Sequence, residues 1–275
     1  MNARDILFRY GLRPQKSLGQ NFLTDPHLLD KIVSAAGLDQ NDVVLEVGPG
    51  LGHLTQLLSQ QAGRVIAIEL DSHLVTILRH QLGEINNIKL IEGNILKLDI
   101  PSLLPPATSN YKVVANLPYY ITAAVLRHFT TAKPSPSRMV ITMQLEVAQR
   151  ITAQPGKMSL LAISVQFYGQ PNIVTRLKAG AFYPRPEVES AVVRIDRHTS
   201  PSVDVPDERP FFAVVKAGFA QRRKQLRNSL AAGLQRSRAE ISSALKAAGI
   251  DPRRRPQTLS LPEWAAITNQ LQTEN

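Results

Sequence analysis

Short apolar runs punctuate the chain at residues 43–47, 64–68, 88–91, 111–115 and 138–143, each rich in Val, Ile or Leu and nearly continuous. Runs of this kind suit strands buried on both faces. Between them the apolar positions recur with helical spacing, over residues 51–58 and 72–82. An earlier helix is expected at Thr24-Asp25-Pro26, where a capping side chain precedes Pro in the first turn. Leu28, Leu29, Ile32 and Val33 form its apolar face and Gly37 ends it. Alternating buried strands and helices predict an α/β fold: a mainly parallel sheet with helices on both faces. Residues 173–177 and 191–195 are expected to complete the sheet as an antiparallel pair.

The pattern changes near residue 198. Residues 199–206 are rich in Pro and Ser and read as a linker. Beyond them only helical periodicity remains, over residues 210–219, 225–234, 239–248 and 261–271. Residues 1–20 carry Arg4, Arg9, Arg13 and Lys16 with no acid after Asp5, and read as a mobile arm. The expected organisation is a basic arm (1–20), a catalytic α/β domain (21–198), a linker (199–206) and a small all-α domain (207–275).

Composition narrows the chemistry. A hydrophobic content of 43% supports a sizeable core. There are no cysteines, which excludes disulfides, iron–sulfur clusters and cysteine nucleophiles, and no metal site is expected. No apolar run approaches the ~18 residues that span a bilayer, and the first residues lack a secretory signal. A cytoplasmic monomer is expected. The net charge of +10 favours a polyanionic partner.

Glu46-Val47-Gly48-Pro49-Gly50-Leu51-Gly52 follows the first long strand and opens a helix. Glycines there let the backbone approach a ligand closely. His53 stands where a dinucleotide fingerprint would need its last Gly. The turn is similar instead to the cofactor loop of class I methyltransferases. Glu69, ending the next strand, suits the two ribose hydroxyls of an adenosine, although dehydrogenases use the same device. Asn94 follows the third strand and is placed either to hydrogen-bond an adenine or simply to make a turn.

The fourth strand runs into Asn116-Leu117-Pro118-Tyr119. The exocyclic nitrogen of adenine is a poor nucleophile because its lone pair is delocalised into the ring. A side-chain amide oxygen (Asn116) and a backbone carbonyl (Pro118) accepting from that amino group favour pyramidal nitrogen and stabilise developing positive charge. Tyr119 offers a face for stacking an extruded base. The tetrapeptide matches the Asn/Asp-Pro-Pro-Tyr/Phe pattern of amino-methyltransferases, with Leu second.

Several segments together resemble one family. They are Ser17-Leu18-Gly19-Gln20-Asn21-Phe22-Leu23, Glu46-Val47-Gly48-Pro49-Gly50, Asn116-Leu117-Pro118-Tyr119, Phe182-Tyr183-Pro184-Arg185-Pro186-Glu187-Val188-Glu189-Ser190-Ala191-Val192, and Phe219-Ala220-Gln221-Arg222-Arg223-Lys224-Gln225-Leu226-Arg227-Asn228. In that order they resemble the KsgA/RsmA 16S rRNA adenine dimethyltransferases, relatives of the Erm resistance enzymes. The resemblance implies S-adenosylmethionine as cofactor, held by Asn21, Leu23, Gly48, Glu69, Asn94 and Asn116. Asn94 stands where the family usually has Asp. It also implies that Phe182 and Tyr119 sandwich the target base. The implied reaction dimethylates N6 of two adjacent adenosines near the 3′ end of 16S rRNA in the small subunit or its precursor.

Lys216, Arg222, Arg223, Lys224 and Arg227 form a basic cluster free of acids, and Arg253-Arg254-Arg255 a second. Beside an RNA enzyme, phosphate contact is the expected use of these residues. An enzyme on large-subunit rRNA, one on DNA or a small molecule, and an assembly factor remain as alternatives.

Overall fold

The computed structural model describes residues 3–106, 108 and 110–273. In chain order it contains α1 (Ala3–Arg9), β1 (Phe22–Leu23), α2 (Pro26–Ala36), β2 (Val43–Val47), α3 (His53–Gln61), β3 (Arg64–Glu69), α4 (Ser72–Leu82), β4 (Ile88–Glu92), α5 (Ile100–Leu103), β5 (Lys112–Asn116), α6 (Thr122–Thr130) and β6 (Arg138–Gln144). There follow α7 (Leu145–Ile151), α8 (Leu160–Tyr168), β7 (Gly169–Leu177), β8 (Phe182–Tyr183), β9 (Ser190–Arg197), α9 (Glu208–Phe219), α10 (Leu226–Leu234), α11 (Arg238–Ala247) and α12 (Leu261–Thr273). Two units result: residues 1–148 with 170–197, and residues 149–169 with 198–275.

The first unit is the expected α/β fold. Its seven-stranded sheet has the order β4-β3-β2-β5-β6-β9-β7. The pairs β2–β3, β2–β5, β3–β4 and β5–β6 are parallel, whereas β9 runs antiparallel to β6 from Ser190 opposite Gln144 to Asp196 opposite Arg138. Val44, Val65, Val114 and Val140 are fully buried and share a core with Ile32 of α2 and Leu58 of α3. Polar caps hold the helices where the sequence placed them. The Asp25 carboxylate accepts from Leu28 N at 3.3 Å, and Gly37 ends α2 with φ 56°. The strand order reverses between β2 and β5, and ligands of open α/β sheets bind at the carboxyl ends of strands flanking such a reversal.

The N-terminal arm is folded over much of its length. In α1, Ala3, Ile6 and Leu7 lie at i, i+3 and i+4 and are buried in a cluster with Leu51, Leu74 and Ile77. Arg4 and Arg9 stay exposed. Further on, Gln15 and Gln20 donate through Nε2 to the Asp71 carboxylate at 3.1 and 2.7 Å. The reading of residues 1–20 as a mobile arm is therefore corrected. Arg4 and Arg9 lie away from the apolar side of this short helix, and Arg13 and Lys16 follow it.

The second unit is all-helical apart from its turns, and it claims more of the chain than expected. Residues 149–169 belong to it, not to the α/β domain. The cause is aromatic packing: Phe167 of α8 stacks on Phe211 of α9 with ring centroids 4.9 Å apart. The expected linker is also tied down. Val203 and Val205 pack against this core, and Ser202 N donates to Phe167 O at 3.0 Å. No described helix is long and apolar enough to cross a membrane.

Helices α9 and α12 meet at Gly218. A Cβ there would lie 2.3 Å from Cη2 of Trp264, which is fully buried. Gly218→Ala is expected to destabilise the protein by about 1–3 kcal/mol through overpacking. Trp264 is the sole tryptophan, so its fluorescence during denaturant unfolding reads the effect directly. An unchanged midpoint would show that the indole moves aside without penalty.

Candidate active site

A cleft of about 330 Å3 opens where the sheet order reverses. Asn21, Leu23, Gly48, Glu69, Asn94 and Asn116 all line it, joined by Glu46, Pro118 and Tyr120. Residues drawn from five separate segments are thus brought together by the carboxyl ends of β2, β3, β4 and β5 and by the segment before β1.

The loop after β2 is shaped for close approach. Gly48, Gly50 and Gly52 have φ of 71°, 60° and 81°, a region unfavourable to other residues. Gly50 N donates to Glu69 Oε2 at 3.2 Å, while Leu70 N and Asp71 N donate to Oε1 at 2.8 and 3.0 Å. These bonds use three of the roughly four acceptor sites of a carboxylate. Burial pushes the Glu69 carboxyl above its usual range, against the pull of these backbone donors.

Glu46, one strand away, is more extreme. It is fully buried, and neither carboxyl oxygen makes a hydrogen bond of normal geometry among the described residues. Burial pushes its pKa up to about 8; the neighbouring Thr55 hydroxyl opposes this and Glu69 reinforces it. Sequence reasoning named Glu46 only as part of the glycine-loop motif. A charged residue inside an otherwise apolar strand was the available signal.

Asn94 does serve as a turn residue: its Oδ1 accepts from Leu96 N at 3.0 Å, capping the helical turn at 95–97. Its Nδ2 is the group left to donate into the cleft.

The Asn116 amide is oriented by a long-range bond. Its Nδ2 donates to the Asn21 carbonyl at 3.1 Å, leaving Oδ1 as the acceptor. Asn21 is itself held by donating through Nδ2 to Gly19 O at 3.1 Å. The Pro118 carbonyl accepts from Ile121 N at 3.2 Å, closing the turn at 119–121. Its accepting capacity is therefore half spent, and the Leu117 carbonyl beside it becomes an equal candidate. Tyr119 does not line the cleft; it is half-buried, with its hydroxyl 2.7 Å from Ser190 Oγ at the start of β9. Burial raises the Tyr119 phenol above its ordinary pKa, and the Ser190 contact works against the rise.

Phe182 departs from expectation. It is 5% exposed, pairs with Leu23 across β1–β8, and belongs to the core with Leu29 and Ile32. At this burial little of the Phe182 ring is open to a base. Successive strand side chains point to opposite faces, so burying Phe182 turns Tyr183 outward. The exposed aromatics in these segments are Tyr120 and Tyr183.

In the helical unit, Arg222, Arg223 and Lys224 occupy the turn between α9 and α10 and are exposed. Arg227 is half-buried, and its Nε has no partner among the described residues. The second basic run is largely spent on internal contacts. Arg253 Nη2 pairs with Asp251 at 2.9 Å, and Arg254 pairs with Glu263 and donates to Thr258 O. It is not the free patch its sequence suggests.

Comparison with known proteins adds the context. The family model for ribosomal RNA adenine dimethylase matches residues 11–273. The ribosomal RNA small subunit methyltransferase A of Dehalococcoides mccartyi (strain CBDB1) is 48% identical, covering 96% of this chain and 91% of its own. That of Geobacillus thermodenitrificans is 42% identical, covering 98% and 94%. Among solved structures, the 23S rRNA methyltransferase ErmE is 27% identical with a TM-score of 0.74, covering 92% of this chain and 100% of its own. A dimethyladenosine transferase from Plasmodium falciparum, 22% identical, shares the fold with a TM-score of 0.78, covering 92% and 98%. The switch-point cleft, the tetrapeptide and a match over nearly the whole chain agree: this protein belongs to the ribosomal RNA adenine dimethylase family.

Proposed function

We propose that this protein transfers methyl groups from S-adenosylmethionine to N6 of two adjacent adenosines near the 3′ end of 16S rRNA, producing N6,N6-dimethyladenosine in the small subunit or its precursor. It acts as a cytoplasmic monomer and contributes to small-subunit biogenesis. The observation that carries this reading is the Asn116 amide, whose nitrogen is committed to Asn21 O and whose oxygen is thereby left to accept from an amino group.

The cleft fits the cofactor. Its size falls in the range typical of small-molecule sites, and its glycine loop admits close backbone approach. Gly48 and its neighbours face the amino-acid end. Glu69 keeps an acceptor site for the ribose, and Asn94 Nδ2 donates to the adenine ring. When bound, the cofactor supplies a methyl group on a positively charged sulfur. The chain's own work is positioning. Asn116 Oδ1 and a backbone carbonyl of Leu117 or Pro118 accept from the target amino group and hold its lone pair toward the methyl donor. The contact of the Tyr119 hydroxyl with Ser190 anchors the turn that carries these carbonyls. No strong base is required, because the nitrogen becomes acidic once alkylated.

The test is incubation with labelled cofactor and undermethylated 30S and 50S subunits, followed by nucleoside analysis. Dimethyladenosine in 16S rRNA is expected. Label confined to 23S rRNA, or absent from adenine N6, overturns the reading. The identity to small-subunit enzymes, well above that to ErmE, supports the 30S target.

Arg222, Arg223, Lys224 and Arg227 are assigned to phosphate contact in this proposal. Replacing Arg222, Arg223 and Lys224 together by Ala is expected to weaken RNA binding and lower the slope of log affinity against log salt by about 2–3. A salt titration measures both, and an unchanged slope removes these residues from the interface.

A further inference from the structure

Tyr120 follows the tetrapeptide directly and differs sharply from its neighbour. Both lie in the helical turn at 119–121, where successive side chains are spread around the axis. Tyr119 turns inward to Ser190. Tyr120 turns outward, is 62% exposed, and still lines the cleft. Its ring lies over Gly19: a Cβ there would meet Cε1 at 3.4 Å and Cδ1 at 3.5 Å. Gly19 has φ 62°, which strains other residues, so the floor beneath the ring is bare backbone.

The hydroxyl of Tyr120 makes no hydrogen bond with another described residue, and no described aromatic ring pairs with this one. Scattered exposed apolar side chains are ordinary and need no ligand. This one is backed by glycine on the rim of the cleft that receives a base. Its open face is a sequence-tolerant platform for a nucleobase, since every base has a stacking face.

We infer that Tyr120 forms a second nucleobase subsite, stacking the base of the nucleotide next to the one held at Asn116. It rests on the adenine-methylation reading for what occupies the Asn116 site. An extruded nucleotide stays tethered to neighbours that have lost a stacking partner, and a platform at the rim offsets that loss. With two adjacent adenosines as substrate, the subsite holds one while the other reacts.

The test uses the full-length protein saturated with S-adenosylhomocysteine, so that no transfer occurs. The probe is a short single-stranded RNA carrying two adjacent adenosines, compared with strands abasic at either adenosine. Base–aromatic stacking implies that Tyr120→Ala binds the intact strand about tenfold more weakly. Tyr120→Phe, which keeps the ring, is expected within about twofold of the parent protein. The parent should lose the same tenfold on one of the abasic strands, and Tyr120→Ala should lose nothing further there. A parent protein that fails to bind, or binds all strands alike, overturns the subsite. So does a Tyr120→Ala penalty that persists on both abasic strands. Methyl transfer to 30S subunits, assayed separately, keeps the two claims distinct: failed transfer with intact base discrimination sinks the reaction and leaves the subsite standing.

Discussion

Asn116→Ala is expected to lower the rate of methyl transfer by about 10²–10³-fold, the cost of removing one preorganised polar group aimed at developing charge. The geometry makes this sharper than the motif alone. Because Nδ2 is tied to Asn21 O, the oxygen cannot exchange places with the nitrogen, and its accepting role is set before substrate arrives. The main loss should appear in kcat, since the glycine loop and Glu69 remain to hold the cofactor. Asn116→Asp provides the control. It keeps an acceptor but places a carboxylate against the Asn21 carbonyl, so activity should fall between the parent and the alanine variant. Single-turnover transfer to undermethylated 30S subunits measures both. A kcat within about tenfold of the parent for Asn116→Ala would be too small for this role.

Glu46→Gln is expected to stabilise the cofactor-free protein increasingly as pH rises from about 5 to 8. The sign follows from linkage. In the unfolded chain Glu46 loses its proton near its ordinary value of 4.5, whereas the folded protein keeps it until about 8. Between these values the folded state binds the extra proton, so wild-type stability falls as pH rises. At about 1.4 kcal/mol per unit the ceiling is roughly 5 kcal/mol. Glutamine does not titrate and escapes the loss. Urea unfolding of both proteins at pH 5, 6, 7 and 8 checks this; parallel stability curves would mean that Glu46 ionises normally in the fold. The effect belongs to this residue because its carboxyl is fully buried with neither oxygen conventionally hydrogen-bonded.

Much of the α/β architecture was legible from local pattern. The runs at 43–47 and 64–68 became β2 and β3 because four of five residues in each must be shielded from water, and a two-sided sheet does that. Asp25 and Gly37 bounded α2 through their own backbone chemistry. Gly48, Glu69, Asn94 and Asn116 converged on one cleft because each lies at or just past a strand's carboxyl end, and parallel strands bring those ends together, whereas Asn21 and Leu23 reach it from the separate β1–β8 pair. Where signals were short, reading failed. Helix α1 has 7 residues, too few for periodicity to outweigh its arginines. Helix α8 carries apolar residues on nearly all sides, so nothing in its sequence told which unit it would join.

The tetrapeptide's chemistry was determined by the sequence itself: an amide, a proline and an aromatic ring have fixed donors, acceptors and faces wherever they lie. The orientation of that chemistry was decided only by tertiary structure. The bond from Asn116 to Asn21 spans 95 residues and the contact of Tyr119 with Ser190 spans 71, distances over which local propensity carries no information. The same holds for Phe182 and Tyr183. Either ring suits a strand, and burial was settled by the register of β8 against β1, which turned Phe182 into the core and Tyr183 toward water.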